Sequence, residues 1–364
     1  MRSPSSNTTR DEKLDFWRGL CIVGMASWHL LSNPSFPRTL SFSVIQSFNF
    51  VAEGFVLLAG ASIGWQFRRR PEEISRPGPH LTRAGRFLLL HYVIAVVLTT
   101  LIYSTTWYAP IQQRSLTEWA GDILLLRYQP YLGDVLSVFI FLFALAPVML
   151  LVLRRAGAAA LLILSVAVFA VAIVAPHWLA LNDGGAFVVN GWQIYFVLGI
   201  LFGRSYPEVL AAWQRRPNVW LAVNIAICLA ISAYRLAIEL NPELEAQMSA
   251  MLRFDRHPLT LARTVEMLAD MHLIALVTTR CWKWIEPWRV TRWLVRFGRN
   301  SLRVFVVSIG LDYLICGLLT ATGWGVPVNL ALWGLELVVL YGAAVFAAPQ
   351  PNTATKPREL VTRL

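Results

Sequence analysis

The sequence contains few charged residues for its length. Asp, Glu, Lys and Arg make up 15% of the 364 residues, whereas 56% are hydrophobic. Soluble domains carry about 25% charged residues, so this composition excludes an ordinary soluble globular protein. Long apolar runs stand in place of the missing charge, and we therefore expect an all-α, polytopic integral membrane protein embedded in the lipid bilayer.

Cysteine is also scarce. Cys21, Cys228, Cys281 and Cys316 are far apart in the sequence, which argues against a disulfide framework and against a structural zinc site. The chain lacks a glycine-rich phosphate loop and a G-x-S-x-G nucleophile motif, so neither a soluble-type NTPase nor a serine hydrolase is indicated. No metal site is predicted.

Ten apolar runs are long enough to cross a membrane. They cover residues 14–32, 43–67, 84–104, 132–153, 158–176, 186–203, 218–239, 260–279, 301–320 and 328–348. Lys and Arg concentrate at both termini and in the loops after the second, fourth, sixth and eighth runs. The positive-inside rule then puts both termini in the cytoplasm. The net charge of +11 reflects this topology and attraction to anionic lipids, and no nucleic-acid partner is predicted.

The first apolar run carries a polar stripe. Arg18 and His29 are 11 residues apart, which on a helix is about three turns plus 20°, with a rise of about 16 Å. Asp15 precedes Arg18 by three residues and lies on much the same face. Such a stripe is costly in lipid and is expected to face a polar cavity. The alternative is a charged helix start followed by a core histidine that is hydrogen-bonded to a neighbouring helix.

His29 is the first candidate for a general base, because a neutral imidazole can take a proton from a hydroxyl group near neutral pH. His272, in the eighth run, is the second candidate. The acids available as partners of His29 are Glu53, Asp134, Asp312 and Glu336, and spacing alone does not select among them. For Glu53, the alternative is a structural ion pair with an arginine of the first or third run. Small residues from 54 to 64 predict close packing of this second run against another helix.

Arg83 and Arg86 precede the third run, with Arg68, Arg69 and Arg70 upstream. Arginines at positions i and i+3 of a helix start present two guanidinium groups on one face, which suits phosphate groups. The signal is weak by itself, because cytoplasmic loops are rich in arginine. A second polar region, the outer loop at 105–131, is rich in aromatic, amide and carboxylate side chains that suit sugars. The alternative for this loop is an interfacial aromatic belt, which needs no ligand.

Two of these patterns resemble a known family. Arg18 and His29 resemble the Arg-x10-His signature of the membrane acyltransferase-3 family, and Arg83-x-x-Arg86 resembles its second motif. The chain is more closely similar to the OpgC family, which succinylates osmoregulated periplasmic glucans in bacteria. The segments that carry this likeness are 14–19, 52–56, 127–130, 134–136, 190–193 and 297–305.

The resemblance implies a membrane-embedded O-acyltransferase in the bacterial inner membrane. An acyl group, in the first place succinyl, would pass from cytoplasmic acyl-CoA, a co-substrate and not a permanently bound cofactor, to a hydroxyl of a periplasmic glucan. By this resemblance the catalytic set would be His29, Arg18, Glu53 and Asp15. Arg83 and Arg86 would bind the phosphates of acyl-CoA. The candidates for binding the glucan would be Gln129, Asp134, Trp192 and Gln193.

Two other classes of function remain open. In a secondary transporter for a glycan or small anion, the buried Glu53, Asp312, Glu336 and His272 would form a proton relay. In a flippase or assembly partner without chemistry of its own, no buried histidine would be essential. For each class the expected organisation is a single membrane domain over 1–348, followed by a polar cytoplasmic tail, 349–364, that is expected to be disordered.

Overall fold

The computed structural model describes residues 11–31, 50–103, 115–127, 134–175, 189–241, 243, 259–322 and 325–346, and no β-strand occurs among them. Their helices are α1 (Glu12–Leu31), α2 (Val51–Arg69), α3 (Pro71–Ile74), α4 (Pro77–Tyr103), α5 (Leu116–Leu124), α6 (Asp134–Arg155), α7 (Gly157–Val174), α8 (Val189–Arg204), α9 (Tyr206–Arg215), α10 (Pro217–Leu240), α11 (Leu261–Ile285), α12 (Arg289–Arg299), α13 (Ser301–Thr322) and α14 (Val326–Val345).

Length and composition qualify five of the described helices to cross a membrane: Val135–Arg155, Gly157–Val174, Pro217–Ala237, Ser301–Leu319 and Val326–Val345. The bent pair of α8 and α9, with 73° between its two parts, makes a sixth if it is one broken span. Helices α1, α2 and α11 fall outside this set because each carries charged side chains, such as Arg18, Glu53 and Arg263. The expected all-helical class is thus confirmed, whereas the ten spans and the cytoplasmic termini stay predictions.

The close packing predicted for the second run is present, and its partner is α8. A Cβ atom added at Gly60 or Gly64 of α2 would lie 2.1 or 1.9 Å from a backbone oxygen of α8. Gly199 and Gly203 of α8 face the α2 backbone at similar distances, 2.0 and 1.9 Å. Two facing Gly-x-x-x-Gly pairs therefore bring the two backbones together, the arrangement that favours helix association in lipid.

Helix α12 is amphipathic and was not among the predicted spans. It packs across the start of α1 through its buried residues Thr291, Val295, Phe297 and Gly298. A Cβ atom on Gly298 would lie 1.7 Å from the carbonyl oxygen of Asp15, and one on Gly19 would lie 1.9 Å from that of Leu294. This glycine contact is what allows the end of α12 to reach the first turns of α1.

The other end of α1 is held by α13 and α14. The Cys316 thiol of α13 lies 3.7 Å from the carbonyl oxygen of His29. The indole Nε1 of Trp333, on α14, donates to Ser27 Oγ at 3.0 Å. Because α1 also contacts α2 and α11, it is surrounded by other helices along its length. This position is consistent with a helix that carries polar groups.

The region 105–131, which the sequence predicts to be an outer loop, contains the short helix α5. Ser115 Oγ accepts a hydrogen bond from the backbone N–H of Glu118 at 3.3 Å, and Glu118 Oε2 accepts one from the N–H of Ser115 at 3.0 Å. This reciprocal capping satisfies donors at the helix start that have no partner within the helix. The Ser-x-x-Glu spacing is the sequence signal that identifies it.

We expect Gly60→Ala to destabilise the protein, because the new methyl group must displace the α8 backbone. Overpacking of this kind costs about 1–3 kcal/mol. The free energy of unfolding, measured in a mild detergent, should fall by that amount, whereas Gly310→Ala should leave it unchanged or slightly raised. An added Cβ at Gly310 meets nothing within 4 Å among the described residues. Equal stability of the two variants would contradict the tight α2–α8 contact.

Candidate functional site

The first turns of α1 carry an ion-paired arginine. Arg18 Nη1 donates to Asp15 Oδ1 at 2.9 Å, and the Asp15 side chain is fully buried. Arg299, at the end of α12, places its Nε 3.6 Å from the other Asp15 oxygen and also pairs with Glu12. One buried carboxylate therefore orients two arginines, and the predicted relation of Asp15 to Arg18 is present in the structure.

These arginines line an open cavity of about 470 Å³, which lies where α1 begins, α2 ends and α4 begins. Its guanidinium groups come from four helices: Arg18, Arg69, Arg83, Arg86 and Arg299. Asp11 and Asp15 are the acidic residues of its lining, so the cavity carries net positive charge. The structure thus brings Arg83 and Arg86 together with Arg18, although the two motifs lie far apart in the sequence.

The electrostatics of Arg83 indicate that this cavity favours an anion. Partial desolvation against the cavity wall, together with the positive charge of Arg86, lowers the pKa of Arg83 from its ordinary value. The Arg83 guanidinium also lies over the ring of Phe143, 5.8 Å from its centroid. A phosphate group would compensate the mutual repulsion of the two cations, and paired guanidinium groups bind phosphate well.

The cavity continues into a narrow pocket of about 90 Å³ between phenylalanine rings. Residues that line both spaces are Arg18, Ala59, Phe87, Phe143, Ser301 and Leu302. Phe55, Phe139 and Phe305 complete the pocket. The rings are fixed by one another, since Phe87 stacks on Phe139 at 5.3 Å and Phe55 on Phe305 at 5.9 Å. A charged opening therefore leads to a slim apolar passage beside α1.

His29 lies on α1, 11 residues after Arg18. Its backbone is held by Cys316, as described above, and its side chain is partly buried. In the described part of the chain, the residues that line the cavity and the pocket do not include His29. The assignment of His29 as general base therefore stays a prediction, supported by its place on the same helix as Arg18.

Glu53 is engaged in a buried ion pair with α11. Arg263 donates to Glu53 Oε1 from Nε at 3.0 Å and from Nη2 at 2.8 Å. The two side chains are 0% and 1% exposed. Glu266 accepts from Arg263 Nη1 at 3.1 Å and pairs also with Arg235 of α10. The ion-pair alternative for Glu53 is thus present, but its arginine comes from the eighth predicted run and not from the first or third.

The other acids proposed as partners of His29 fall into two groups. Asp312 of α13 and Glu336 of α14 are both buried and close enough to interact electrostatically. They belong to the two helices that hold the C-terminal part of α1. Asp134 is the first residue of α6. Of the predicted glucan ligands, Gln129 lies outside the described residues.

Trp192 and Gln193 are buried in the packing of α8. The Trp192 ring meets Tyr195 edge-on at 5.7 Å and is 1% exposed. Gln193 Nε2 donates to the Ser165 carbonyl oxygen and Gln193 Oε1 accepts from Ser165 Oγ, both at 2.7 Å. Two hydrogen bonds tie α8 to α7 through this amide. The glucan-binding role of these residues stays a prediction.

His272, the second candidate base, lies in a separate apolar cavity of about 290 Å³ between α2, α8, α9 and α11. Its Nδ1 is 2.6 Å from Asn224 Oδ1, and the rings of Trp213 and Trp220 lie 5.2 and 6.1 Å away. An amide partner and an apolar surrounding are typical of a satisfied core histidine. The arginine cavity and this apolar cavity are lined by different residues of α2.

Several site residues were missed by sequence reasoning. Arg69 and Arg299 resembled the other arginines of cytoplasmic loops, and only the packing of α12 on α1 makes them neighbours of Arg18. Arg263 lies within the eighth predicted run and was not among the predicted site residues. Its spacing of three from Glu266, at the start of an apolar run, is the signal that indicates a buried helical pair.

The apolar helices indicate an integral-membrane protein. It encloses buried ion pairs and a cavity of net positive charge. The family model described as OpgC protein matches residues 10–351, almost the whole chain. The chain therefore belongs to the OpgC family. None of the curated proteins matches it.

The Glu53–Arg263 pair yields a stability prediction. Glu53→Gln should lower the free energy of unfolding by about 3 kcal/mol, the lower end of the range for removing one member of a buried pair, because Arg263 keeps Glu266. Glu208→Gln, which breaks the exposed pair with Arg68, should leave the free energy of unfolding almost unchanged. Denaturation in detergent compares the two. Unchanged stability of Glu53→Gln with complete loss of acyl transfer would instead make Glu53 a catalytic residue.

Proposed function

We propose that the protein is a membrane-embedded O-acyltransferase that moves an acyl group from acyl-CoA in the cytoplasm to a hydroxyl of a periplasmic glucan. The observation that carries this proposal is the arginine cavity and its continuation, the phenylalanine pocket, beside the helix that bears His29. Acyl-CoA has the matching shape and charge, namely a phosphate-bearing head and a slim, uncharged arm. Membership of the OpgC family supports a glucan as the acceptor and succinyl as the acyl group.

The donor would bind with its phosphates against Arg83 and Arg86, assisted by Arg69 and Arg299. Its arm would then follow the phenylalanine rings past Arg18. The length of the arm is comparable with the separation of about 16 Å that helix geometry gives between Arg18 and His29. Asp15 acts as a positioning residue in this scheme, because it holds Arg18 and Arg299 in place.

The transfer itself requires one base. His29 would accept the proton of the glucan hydroxyl while the hydroxyl oxygen attacks the thioester carbonyl carbon. The C–S bond then breaks, and the CoA thiolate takes the same proton from the imidazolium and leaves as the thiol. One C–O bond forms and one C–S bond breaks, and the balance needs no further reactant.

This proposal includes a topology. With ten spans and both termini in the cytoplasm of a bacterium, the arginine cavity opens toward the cytoplasm and the His29 end of α1 lies toward the periplasm. Acyl-CoA is available on the first side of the inner membrane and periplasmic glucans on the second. The cluster of arginine at the ends of α2 and α12 and at the start of α4 agrees with the positive-inside rule.

The role of His29 is tested by mass spectrometry of periplasmic glucans. We expect the acyl mass increment to disappear both in a strain without the protein and in a strain carrying only His29→Ala. His272→Ala, which alters the histidine of the separate apolar cavity, should leave the acyl mass increment in place. Melting temperatures in detergent should be similar for both variants. The assignment fails if His29→Ala retains full transfer at a normal membrane level, or if it unfolds the protein.

The donor site is tested by steady-state kinetics. Arg83→Ala and Arg86→Ala should each raise the apparent KM for acyl-CoA about tenfold, since a charge-assisted hydrogen bond contributes about 1.5–3 kcal/mol. Arg76→Ala, an exposed arginine outside the cavity, should leave KM unchanged. An effect confined to the glucan acceptor would contradict a cytoplasmic donor site at these arginines.

A further inference from the structure

The arginine cavity has a second wall whose chemistry differs from that of its charged side. Trp65, Gln66 and Arg69, all from the last turns of α2, line it. The facing wall carries Arg83, Arg86 and Arg299. Phosphate groups alone use the charged wall and leave most of a space of about 470 Å³ empty. The wall on α2 therefore needs an explanation of its own.

Trp65 and Arg69 form a flat, rigid surface. The guanidinium carbon of Arg69 lies 4.3 Å from the centroid of the Trp65 ring. The indole also packs nearly perpendicular to the Tyr206 ring, with the ring centroids 5.6 Å apart. Arg69 is exposed, so its second face is open to the cavity. Guanidinium planes and aromatic rings are the surfaces on which nucleic-acid bases stack.

The same wall carries an oriented hydrogen-bond acceptor. Gln66 Nε2 donates to the Ser62 carbonyl oxygen at 3.0 Å. That bond distinguishes the nitrogen of the Gln66 amide from its oxygen. Gln66 Oε1 is therefore the acceptor at the other end of the amide.

We infer that Trp65, Gln66 and Arg69 bind a purine base that carries an exocyclic amine. The base stacks on the open face of the Arg69 guanidinium, which Trp65 supports from the other face, and its amine donates to Gln66 Oε1. This inference rests on the proposed function and sharpens it. The acyl donor is a thioester on an adenine nucleotide, whereas a phosphopantetheine arm attached to a carrier protein has no base to occupy this wall.

Binding of simple probes to the full-length protein in lipid nanodiscs tests the inference by calorimetry. The probes are ADP, IDP and inorganic pyrophosphate, which share a diphosphate and differ in the base. We expect ADP to bind about tenfold or more tightly than pyrophosphate, because stacking of one base is worth at least that factor. ADP should also exceed IDP, whose carbonyl replaces the amine, and Gln66→Leu should remove that difference.

Arg69→Lys is the decisive variant, since lysine keeps the charge and lacks the plane. We expect it to bring the ADP affinity to within threefold of the pyrophosphate affinity while pyrophosphate binding changes little. Arg68→Lys is the matched control. Arg68 is the neighbour in sequence, pairs with Glu208 and lies outside the cavity, and its variant should behave as the wild type.

Two results would overturn the inference, and they differ in their consequence for the proposed function. Equal binding of ADP and pyrophosphate by the wild type would eliminate the base site and leave the phosphate site of the proposed function in place. Absence of binding by all three probes would eliminate both.

Discussion

The Asp15 carboxylate is the group on which the architecture of the site depends. Guanidinium groups cannot be buried in an apolar bundle without a partner, and Asp15 serves Arg18 and Arg299 at once. This pairing requires α12 to approach the α1 backbone, which Gly19 and Gly298 permit because neither has a Cβ atom. Electrostatics and backbone shape therefore specify the same contact. The cavity forms at that contact, and both arginines line it.

The wall of the cavity that α2 forms is fixed in position, because α2 is held at three points along its length. Its N-terminal part is fixed by the buried Glu53–Arg263 pair, its middle by the glycine contact with α8, and its C-terminal part carries the cavity residues from Ala59 to Arg69. Movement of α2 along its axis would break the ion pair and the glycine contact together. The α2 wall is thus a rigid surface, which suits a site that must orient a flat ligand.

Sequence reasoning could identify the local relations of this site but not its long-range ones. Helix geometry relates Asp15 to Arg18 and Arg83 to Arg86, and composition indicates the helical membrane class. The small residues of α2 predict a close helix contact, yet nothing in their spacing names α8, although Gly199 and Gly203 repeat the same pattern. Arg69 and Arg299 become site residues through packing between distant segments. Arg263 lies inside the eighth predicted run, but nothing in the spacing of that run indicates that Glu53, 210 residues earlier, is its partner.

The order of charge along the passage gives the proposed transfer its direction. Arginines line the opening, whereas the narrow part is lined by phenylalanine rings with Arg18, Ala59, Ser301 and Leu302. In the proposed reaction, a polyphosphate would therefore stay at the opening while an uncharged arm could enter. Taking phosphates further would require several anions to lose their hydration without a partner, at a cost of several kcal/mol for each. The head of the proposed donor would thus stay on one side, with its thioester reaching inward. An acceptor hydroxyl would then have to approach from the other end, and the released thiol would leave by the route through which the donor entered.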